Sequence, residues 1–261
     1  MDCLMRKLTL FLLCGAVSFT CVCHPFFWRR ESRQVQVPII NIFDPIDFET
    51  SVKSLLIAMK QTDVAGVILI INSNGGGLGE FSVLHDIIKK VAAVKPVVCL
   101  IAACAQSCGY LLASAGNFVF AHSLSEIGAI GVIRSNQRYK NARIKGPDLE
   151  ADYKVEVFSA GEFKAAGNLY ADDLTDSQRT FWQTNVQKLY DNMLELIATN
   201  RELDKSTAKD WAEGKFFDAK QAIELGLIDE VGTILEAEEK IKELIQERDN
   251  RILVENILFV E

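Results

Sequence analysis

The feature that most constrains this chain is a serine placed where a buried strand passes into a helix. Residues 97–102 form an apolar run, and the small residues that follow it lead to Ser107. The pattern after Ser107 is helical, so we expect its hydroxyl at a strand-to-helix junction, with the next backbone N–H groups facing the same space. Such a junction is typical of an exposed nucleophile. The simpler alternative is a serine that only caps the helix.

A second turn of the same kind lies upstream. Residues 67–71 predict a buried strand, and the turn after it contains Gly75, Gly76 and Gly77. Two strand ends of this kind can place one hydroxyl beside two backbone N–H donors, which is the minimum geometry for acyl transfer. The alternative is that the three glycines form a merely flexible turn.

Strand and helix patterns alternate through the first half of the chain. This alternation predicts parallel β-α-β units, and therefore an α/β fold. Extended segments are predicted at 35–42, 64–71, 97–102 and 118–121, and helices at 48–59, 81–94 and 107–115.

The second half of the chain is more helical. A long helix is predicted at 175–202, because Thr175 and Gln178 form a capping box and apolar residues recur on one face. Asp218 and Gln221 repeat this start signal, and Gly226 is placed as a helix stop. The remaining predicted elements are a strand at 154–159 and an amphipathic helix at 235–249.

Composition sets the class of protein. Hydrophobic residues make up 49% of the 261 residues, which is enough for a substantial core. The formal net charge of −7 and the absence of a basic stripe argue against nucleic acid as a partner. Residues 35–261 contain no obvious linker, so we predict a single domain there.

Residues 1–34 differ from the rest. An uncharged stretch at 8–28 is preceded by Arg6 and Lys7 and followed by three arginines. At about 20 residues it is long enough to span a bilayer. We favour an uncleaved membrane anchor over a cleaved signal peptide, because no A-x-A cleavage site follows and aromatic residues close the segment. Positive charge flanks both ends, so the charges alone leave the orientation open.

The cysteines do not predict a disulfide framework or a metal site. Of the seven cysteines, only Cys99, Cys104 and Cys108 lie outside the N-terminal region. Three cysteines in apolar surroundings are more often small buried residues than disulfide partners. No Cys/His spacing typical of zinc is present.

Five motifs, in order along most of residues 60–235, resemble those of the signal peptide peptidase A group (protease IV and its SohB-like relatives) in the ClpP/crotonase superfamily. The matching segments are I-N-S-N-G-G at 71–76, A-Q-S-C-G-Y at 105–110, G-A-I-G-V at 128–132, S-A-G-E-F-K at 159–164 and Q-A-I-E-L-G-L-I-D at 221–229. Each motif alone is weak evidence, but five in order at sensible spacing are strong.

The resemblance implies a ClpP/crotonase-like fold of stacked β-α-β units with a helical C-terminal half. It implies a serine endopeptidase that needs no cofactor and uses a Ser–Lys dyad, with Ser107 as nucleophile and Lys164 as general base. The backbone N–H groups of Gly76 and Cys108 would form the oxyanion hole. The alternative for Lys164 is a solvated loop lysine.

The resemblance also implies a setting for this chemistry. The chain would form a ring-like homo-oligomer in which Ser107 and Lys164 come from neighbouring subunits. The N-terminal segment would anchor it in the inner membrane as a single-pass protein, with the catalytic domain on the extracytoplasmic side. Its substrates would be peptides or proteins, and in particular apolar peptides such as cleaved signal peptides.

A lysine accepts a proton only when it is neutral, which requires burial or a neighbouring positive charge. A histidine-based triad is a less attractive alternative. His85 falls on the surface of a predicted helix, and His122 closes a predicted strand, where a hydrogen-bonded structural role is more common.

Three residues depart from the pattern of the family. Asn74 replaces a proline, which is expected to loosen the first turn, and Cys108 replaces a glycine beside the nucleophile. Ala129 replaces a serine that helps to hold the lysine, and Ser125 or Ser159 is a possible substitute. These departures keep open a catalytically silent scaffold of the same fold. A crotonase-type acyl-CoA enzyme is a weaker alternative, because it needs neither Lys164 nor an anchor.

Overall fold

A largely parallel β-sheet organises the described part of the chain. The structure is a computed structural model that describes residues 34–135, 160–161, 163–164, 173–253, 255 and 257–260. The described residues belong to a compact unit that runs from Ser32 to Glu261. Their strands are β1 (Val35–Phe43), β2 (Val67–Ser73), β3 (Val97–Gln106), β4 (Phe118–Ala121), β5 (Glu126–Gly128), β6 (Phe216–Phe217), β7 (Glu230–Val231) and β8 (Ile257–Val260).

The strand order is β6-β5-β3-β2-β1-β8, and β4 joins β3 to β7 beside this path. All pairs are parallel except β5 with β6. The helices in the described ranges are α1 (Phe48–Lys60), α2 (Leu78–Val94), α3 (Cys108–Ser114), α4 (Asp176–Arg201), α5 (Ala208–Trp211), α6 (Ala219–Glu224) and α7 (Ile234–Arg248), with a 3₁₀ turn at Lys205–Thr207. The predicted α/β class and the helical second half are therefore confirmed.

The central strands are apolar on both faces because both faces are covered. Successive side chains of a strand point to opposite faces. In β2, Leu69 and Ile71 belong to a core cluster that includes Leu84 of α2, whereas Ile68 belongs to a second cluster with Ile241 of α7. A strand covered on both sides gives an unbroken apolar run rather than an alternating pattern, which is what residues 67–71 show.

The helix signals in the second half are mostly right. The capping boxes of Thr175 with Gln178 and of Asp218 with Gln221 are both formed. The predicted apolar face of α4 is correct only near its C-terminal end, since Met193 and Ile197 are buried while Leu189 is 42% exposed. The first half of α4 therefore lies outside the main core.

Two sequence predictions lie outside the described residues: the strand at 154–159 and the N-terminal membrane segment. No described helix combines the length and apolar character needed to cross a bilayer. The short strands β5 to β8 were not predicted, because segments of two to four residues carry little periodicity.

Candidate active site

The two turns predicted to form one site do meet. Strands β2 and β3 are parallel neighbours, and Ser73 near the end of β2 pairs with Ala105 near the end of β3. Gly75 lies so close to the second turn that an added Cβ would be 2.8 Å from the Gln106 carbonyl oxygen and 3.0 Å from the Ser107 Cβ. Gly75 also has φ +95°. No other residue fits there without moving the backbone that carries Ser107.

Ser107 occupies a strained backbone conformation. Its φ of 52° and ψ of −121° lie in a region that residues with a side chain rarely adopt. The Ser107 N–H donates to the Gly128 carbonyl at 2.7 Å, which fixes the turn. A sharp strand-to-helix turn with this strain is how α/β hydrolases hold a nucleophilic serine clear of the sheet.

The helix-capping alternative for Ser107 does not fit the geometry. Ser107 is the residue before α3, but its side chain makes no capping hydrogen bond to that helix. The half-buried hydroxyl instead donates to the Gly131 carbonyl at a long 3.4 Å. Such a weak interaction leaves the hydroxyl available to another partner.

The two predicted oxyanion donors have no oxygen acceptor. Within the ranges that the structure describes, neither the Gly76 N–H nor the Cys108 N–H donates to a carbonyl or to a side-chain oxygen. Backbone donors in a folded protein are nearly always paired. The Gly76 N–H meets only the Cys108 thiol, which is a weak acceptor. Both N–H groups, beside a strained serine, are therefore suited to bind a negatively charged oxygen.

The first turn is held by side chains. The Ser73 hydroxyl accepts from the Gly75 N–H at 3.0 Å. One carboxylate oxygen of Asp44 accepts from the Asn74 N–H at 2.6 Å and from the Asn74 side-chain amide at 3.3 Å. A proline at this position has no N–H to donate. Asn74 thus anchors the turn by a contact that the usual residue cannot make, which offsets the loosening expected from the sequence.

Cys108 fits its position because its side chain is buried in the main core cluster. Burial raises the pKa of the Cys108 thiol, although the nearby Gly76 N–H and Ser107 hydroxyl partly oppose this. Burial also raises the pKa of Cys104, helped by the charges of Asp44 and Glu126. A raised pKa disfavours the nucleophilic thiolate, so Ser107 is the better candidate nucleophile in this turn.

A third segment, Gly128 to Gly131, closes the site. Gly128 and Ala129 both have positive φ, of 116° and 46°. The Ala129 N–H donates to the Lys215 carbonyl at 2.6 Å. Ser125, a possible substitute for the missing serine, is buried with its hydroxyl on the carbonyls of Ile101 (2.9 Å) and Ala102 (3.3 Å). It is therefore already committed to the sheet, and Ser159 lies outside the described residues.

Lys164 lies in a turn, where its N–H donates to the Gly161 carbonyl at 3.1 Å. The neighbouring Phe163 ring stacks on Phe181 of α4, with centroids 4.6 Å apart. The Lys164 side chain is exposed. Among the described residues of one chain, no hydrogen bond or ion pair joins this side chain to Ser107. The role of Lys164 as the base therefore stays a prediction.

His85 corrects one expectation. It was predicted on a helix surface, but it is only 3% exposed. Its Nε2 faces the Asn200 side-chain amide at 2.8 Å, and that amide also donates to the Ser114 hydroxyl at 3.0 Å. His85 thus joins α2, α3 and α4 through a buried polar cluster. Long-range pairing of this kind has no local sequence signal.

The last motif, at 221–229, is structural. Asp229 forms a two-pronged ion pair with Arg201 at 2.9 and 3.0 Å, and it also accepts the Val119 N–H at 2.7 Å. Burial acts against the charge of Arg201, but Asp229 outweighs burial and raises the pKa of Arg201. The Tyr110 hydroxyl donates to the Leu227 carbonyl at 2.7 Å. These contacts fasten the C-terminal region to β4 and α3.

No group of three or more metal-ligating side chains is found in the described part of the chain. The residues that sequence reasoning missed are Asp44, which anchors the first turn, and Lys215, whose carbonyl holds Ala129. Asp44 directly follows β1, and this position at the end of a strand is the one signal that points to it.

Comparison with known proteins identifies the family and the fold of the chain. The family model described as Peptidase family S49 matches residues 89–248, which include Ser107 and Lys164. The model described as Clp protease matches residues 30–127, which include Gly76 and Ser107. Together with the parallel sheet, this match identifies the fold as ClpP/crotonase-like.

Several curated proteins are similar to the chain over most of its length. A putative protease of Methanocaldococcus jannaschii is 26% identical over 78% of this chain and 60% of that protein. Protease 4 of Haemophilus influenzae is 27% identical over 77% of this chain and 32% of that protein. A putative signal peptide peptidase SppA of Enterococcus faecium is 28% identical over 75% and 55%. The chain therefore spans between about a third and three fifths of the length of these relatives.

Proposed function

The chain belongs to peptidase family S49, and on that premise we propose that it is a serine endopeptidase with a Ser–Lys dyad. Ser107 is the nucleophile, Lys164 the general base, and the N–H groups of Gly76 and Cys108 form the oxyanion hole. The observation that carries the proposal is the strained conformation of Ser107, with φ 52° and ψ −121°, beside two backbone donors that lack an oxygen acceptor in the described ranges.

The reaction follows from these positions. The Ser107 oxygen attacks the carbonyl carbon of the scissile bond while its proton passes to the neutral lysine. The carbonyl oxygen becomes negative and accepts hydrogen bonds from the two N–H groups, each worth about 100- to 1,000-fold in rate. The lysine then protonates the leaving amine as the C–N bond breaks. Water hydrolyses the acyl-serine by the reverse order of proton transfers.

Lys164 completes the site from a neighbouring subunit in this proposal. Its side chain is exposed and makes no hydrogen bond within the described part of its own chain. A lysine acts as a base only in its neutral form. Packing against the apolar residues around Ser107 of a second copy would remove it from water and favour the neutral form. A head-to-tail contact of this type closes into a ring when the rotation between neighbouring subunits is a whole fraction of a turn.

The proposed substrates are apolar peptides, such as the remnants of cleaved signal peptides. Residues 1–34 anchor the chain in the inner membrane, where such peptides collect, and the catalytic domain lies on the extracytoplasmic side. The uncharged stretch at 8–28 supports the anchor. Alkaline carbonate extraction of membranes tests this part, with a chain that lacks residues 1–34 as the control. Release of the full chain by carbonate would contradict the anchor.

The activity itself is tested with residues 35–261 and the full chain side by side. We expect both to hydrolyse casein and a synthetic signal peptide, and we expect Ser107→Ala to abolish hydrolysis. The exposed Ser123 provides a matched control, because Ser123→Ala changes a hydroxyl outside the site. If neither protein cleaves any peptide although each oligomerises, the chain is a silent scaffold. If acyl-CoA thioesters are turned over instead, it is a crotonase-type enzyme.

Mixing two inactive variants tests the shared site. Ser107→Ala supplies the lysine and Lys164→Met supplies the serine. Random co-assembly of equal amounts would restore about a quarter of the sites if each site takes its two residues from adjacent subunits. A mixture that stays inactive, while the two variants demonstrably co-assemble, would place the base within the same chain or on another residue.

A further inference from the structure

A cavity of about 340 Å³ lies between the segment that follows β5 and the first half of α4. Its wall contains Arg134 from that segment and Arg179, Trp182 and Gln183 from α4. The α4 residues are three and four positions apart, so they share one face of the helix. This volume is at the lower end of the range of small-ligand pockets, about 300–1,000 Å³.

In the described part of the chain, neither arginine has an acidic partner. No ion pair joins Arg134 or Arg179 to any residue in the ranges that the structure describes. Asp176 lies three positions before Arg179 on α4, yet the two do not pair. The whole chain has a formal net charge of −7, so two guanidinium groups at one cavity, without an ion-pair partner among the described residues, depart from its general character.

Trp182 orients one arginine and carries a buried donor of its own. The Arg134 guanidinium lies over the Trp182 ring, 3.3 Å from its centroid, a cation–π contact that reduces the freedom of a long side chain. The Trp182 Nε1 is buried and has no hydrogen-bond acceptor within the described residues. A buried donor without an acceptor is uncommon in folded proteins. The cavity is thus bordered by two cations, one of which is oriented by an aromatic ring.

The cavity lies within reach of the proposed nucleophile. The Ser107 hydroxyl donates to the Gly131 carbonyl at 3.4 Å, and Arg134 follows Gly131 by three residues. The Cα atoms of Gly131 and Arg134 are therefore at most about 11 Å apart, since a chain extends by about 3.6 Å per residue. An extended peptide cleaved at Ser107 could place a group in the cavity a few residues from the scissile bond.

We propose that the cavity bordered by Arg134, Arg179 and Trp182 binds a carboxylate of the peptide substrate. The inference rests on the proposed peptidase function and adds a specificity determinant to it. Planar guanidinium groups match a carboxylate in charge and in two-pronged geometry. The carboxylate is either the C-terminus of a short peptide or an Asp or Glu side chain near the cleavage site.

The test compares three peptides that differ only at their last residue and its C-terminal group. The first has a free C-terminal carboxylate three residues after the scissile bond. The second has a C-terminal amide, and the third has the amide with a glutamate at its last position. We expect kcat/KM to be at least about tenfold higher for a peptide with the carboxylate than for the neutral amide. The first peptide identifies a C-terminus as the source, and the third identifies an acidic side chain.

Variants assign the preference to the cavity. Arg134→Gln and Arg179→Gln should each move the ratio of acid to amide kcat/KM toward one, while Arg251→Gln, an exposed arginine beside Asp249, should retain it. Added salt should shrink the wild-type ratio, because screening weakens exposed charge interactions. A wild-type ratio below twofold for both acidic peptides would overturn the proposal. A ratio that survives in both cavity variants would overturn it as well.

Binding to the Ser107→Ala protein separates this inference from the proposed function. Calorimetry should give a Kd at least about tenfold lower for the acidic peptides than for the amide, and the arginine changes should remove that difference. If the wild-type protein cleaves no peptide but this binding difference is present, the peptidase proposal fails and the carboxylate site stands. If peptides are cleaved but acid and amide bind equally, the carboxylate site fails alone.

Discussion

The turns around Ser107 and the cluster around Asp229 both coincide with sequence motifs, but they differ in how far their polar groups are hydrogen-bonded. Around Ser107, two N–H groups have no oxygen acceptor in the described ranges, and the serine itself is strained. Around Asp229, the charged groups have hydrogen-bond partners. The Asp229 carboxylate accepts from Arg201 and from the Val119 N–H, and Arg201 also donates to the Gly226 carbonyl at 3.1 Å.

This difference shows that a sequence motif can serve either the stability of the fold or a reaction. A paired and buried network lowers the energy of the folded chain and is complete without a ligand. Strain and unpaired donors cost stability, and they persist where a reaction uses them. The comparison therefore predicts that changes at Ser107 remove activity without loss of stability, and that changes at Asp229 do the reverse.

The largest expected effect is on activity. Ser107→Ala should lower kcat/KM by at least about 1,000-fold, because no other described group replaces the nucleophile. The free energy of unfolding should stay within about 0.5 kcal/mol of wild type, since the lost hydrogen bond is long. Peptide hydrolysis and urea denaturation measure the two quantities on the same preparation.

A second substitution at this position sharpens the result. Ser107→Gly should be equally inactive, but more stable than Ser107→Ala by about 1 kcal/mol, because glycine tolerates positive φ. Equal stability of the two variants would show that the turn is not strained, and the contrast with the Asp229 cluster would lose half of its basis.

The opposite pattern is expected at Asp229. Asp229→Ala leaves the buried Arg201 charge without its carboxylate partner and removes the acceptor of the Val119 N–H. It should lower the free energy of unfolding by about 3 kcal/mol. The rate per folded molecule should remain within about twofold of wild type, because the cluster takes no part in the reaction. Glu49→Gln is the matched control, since its pair with Lys53 is exposed and should contribute less than about 0.5 kcal/mol. Equal losses in the free energy of unfolding for the two variants would contradict the structural role of the cluster.

Gly75→Ala should affect both properties. The new methyl group would lie 2.8 Å from the Gln106 carbonyl oxygen at a residue with φ +95°, so the two turns must separate. We expect a loss of about 2 kcal/mol in stability and of about 100-fold or more in kcat/KM. Gly79→Ala in α2 is the control, because nothing lies within 4 Å of the added atom there. Activity close to wild type in Gly75→Ala would show that the spacing of the turns is not critical.

The smallest predicted effect is on the pH dependence of stability. Burial raises the pKa of Cys99, next to the Arg201 cluster, to about 12 from an ordinary 9.0. The folded chain therefore holds this proton over a pH range in which the unfolded chain loses it, and stability must fall as pH rises above 9. Between pH 9 and 10 the loss from this group is about 1 kcal/mol. Urea denaturation under reducing conditions should show that the free energy of unfolding falls less between pH 9 and 10 in Cys99→Ala than in the wild type. An equal fall in the two proteins would contradict the prediction.

Much of the architecture could be predicted because it depends on local patterns. The apolar runs of β2 and β3, the capping boxes at Thr175 and Asp218, and the serine at the strand-to-helix junction are each contained in about ten residues. Such signals depend on backbone geometry and burial, which neighbouring residues largely determine.

The contacts between distant residues could not be predicted. Asp44 anchors Asn74 thirty positions away, and Asn200 holds His85 at a separation of 115. Pairing over such distances depends on how the helices and strands pack, and a single polar residue carries no sign of it. The approach of Lys164 to Ser107 is harder still to predict from the sequence, because in the proposed function it depends on a second copy of the chain.

The central claim is that the Ser107 hydroxyl becomes acylated while two backbone amides bind the oxygen of the substrate. Labelling with a fluorophosphonate, followed by mass spectrometry of the peptide that spans positions 104–108, tests it directly. The account predicts one adduct on Ser107 of the assembled protein, absent from Ser107→Ala and strongly reduced in Lys164→Met. An adduct on Cys104 or Cys108, or labelling that persists in Ser107→Ala, would contradict it.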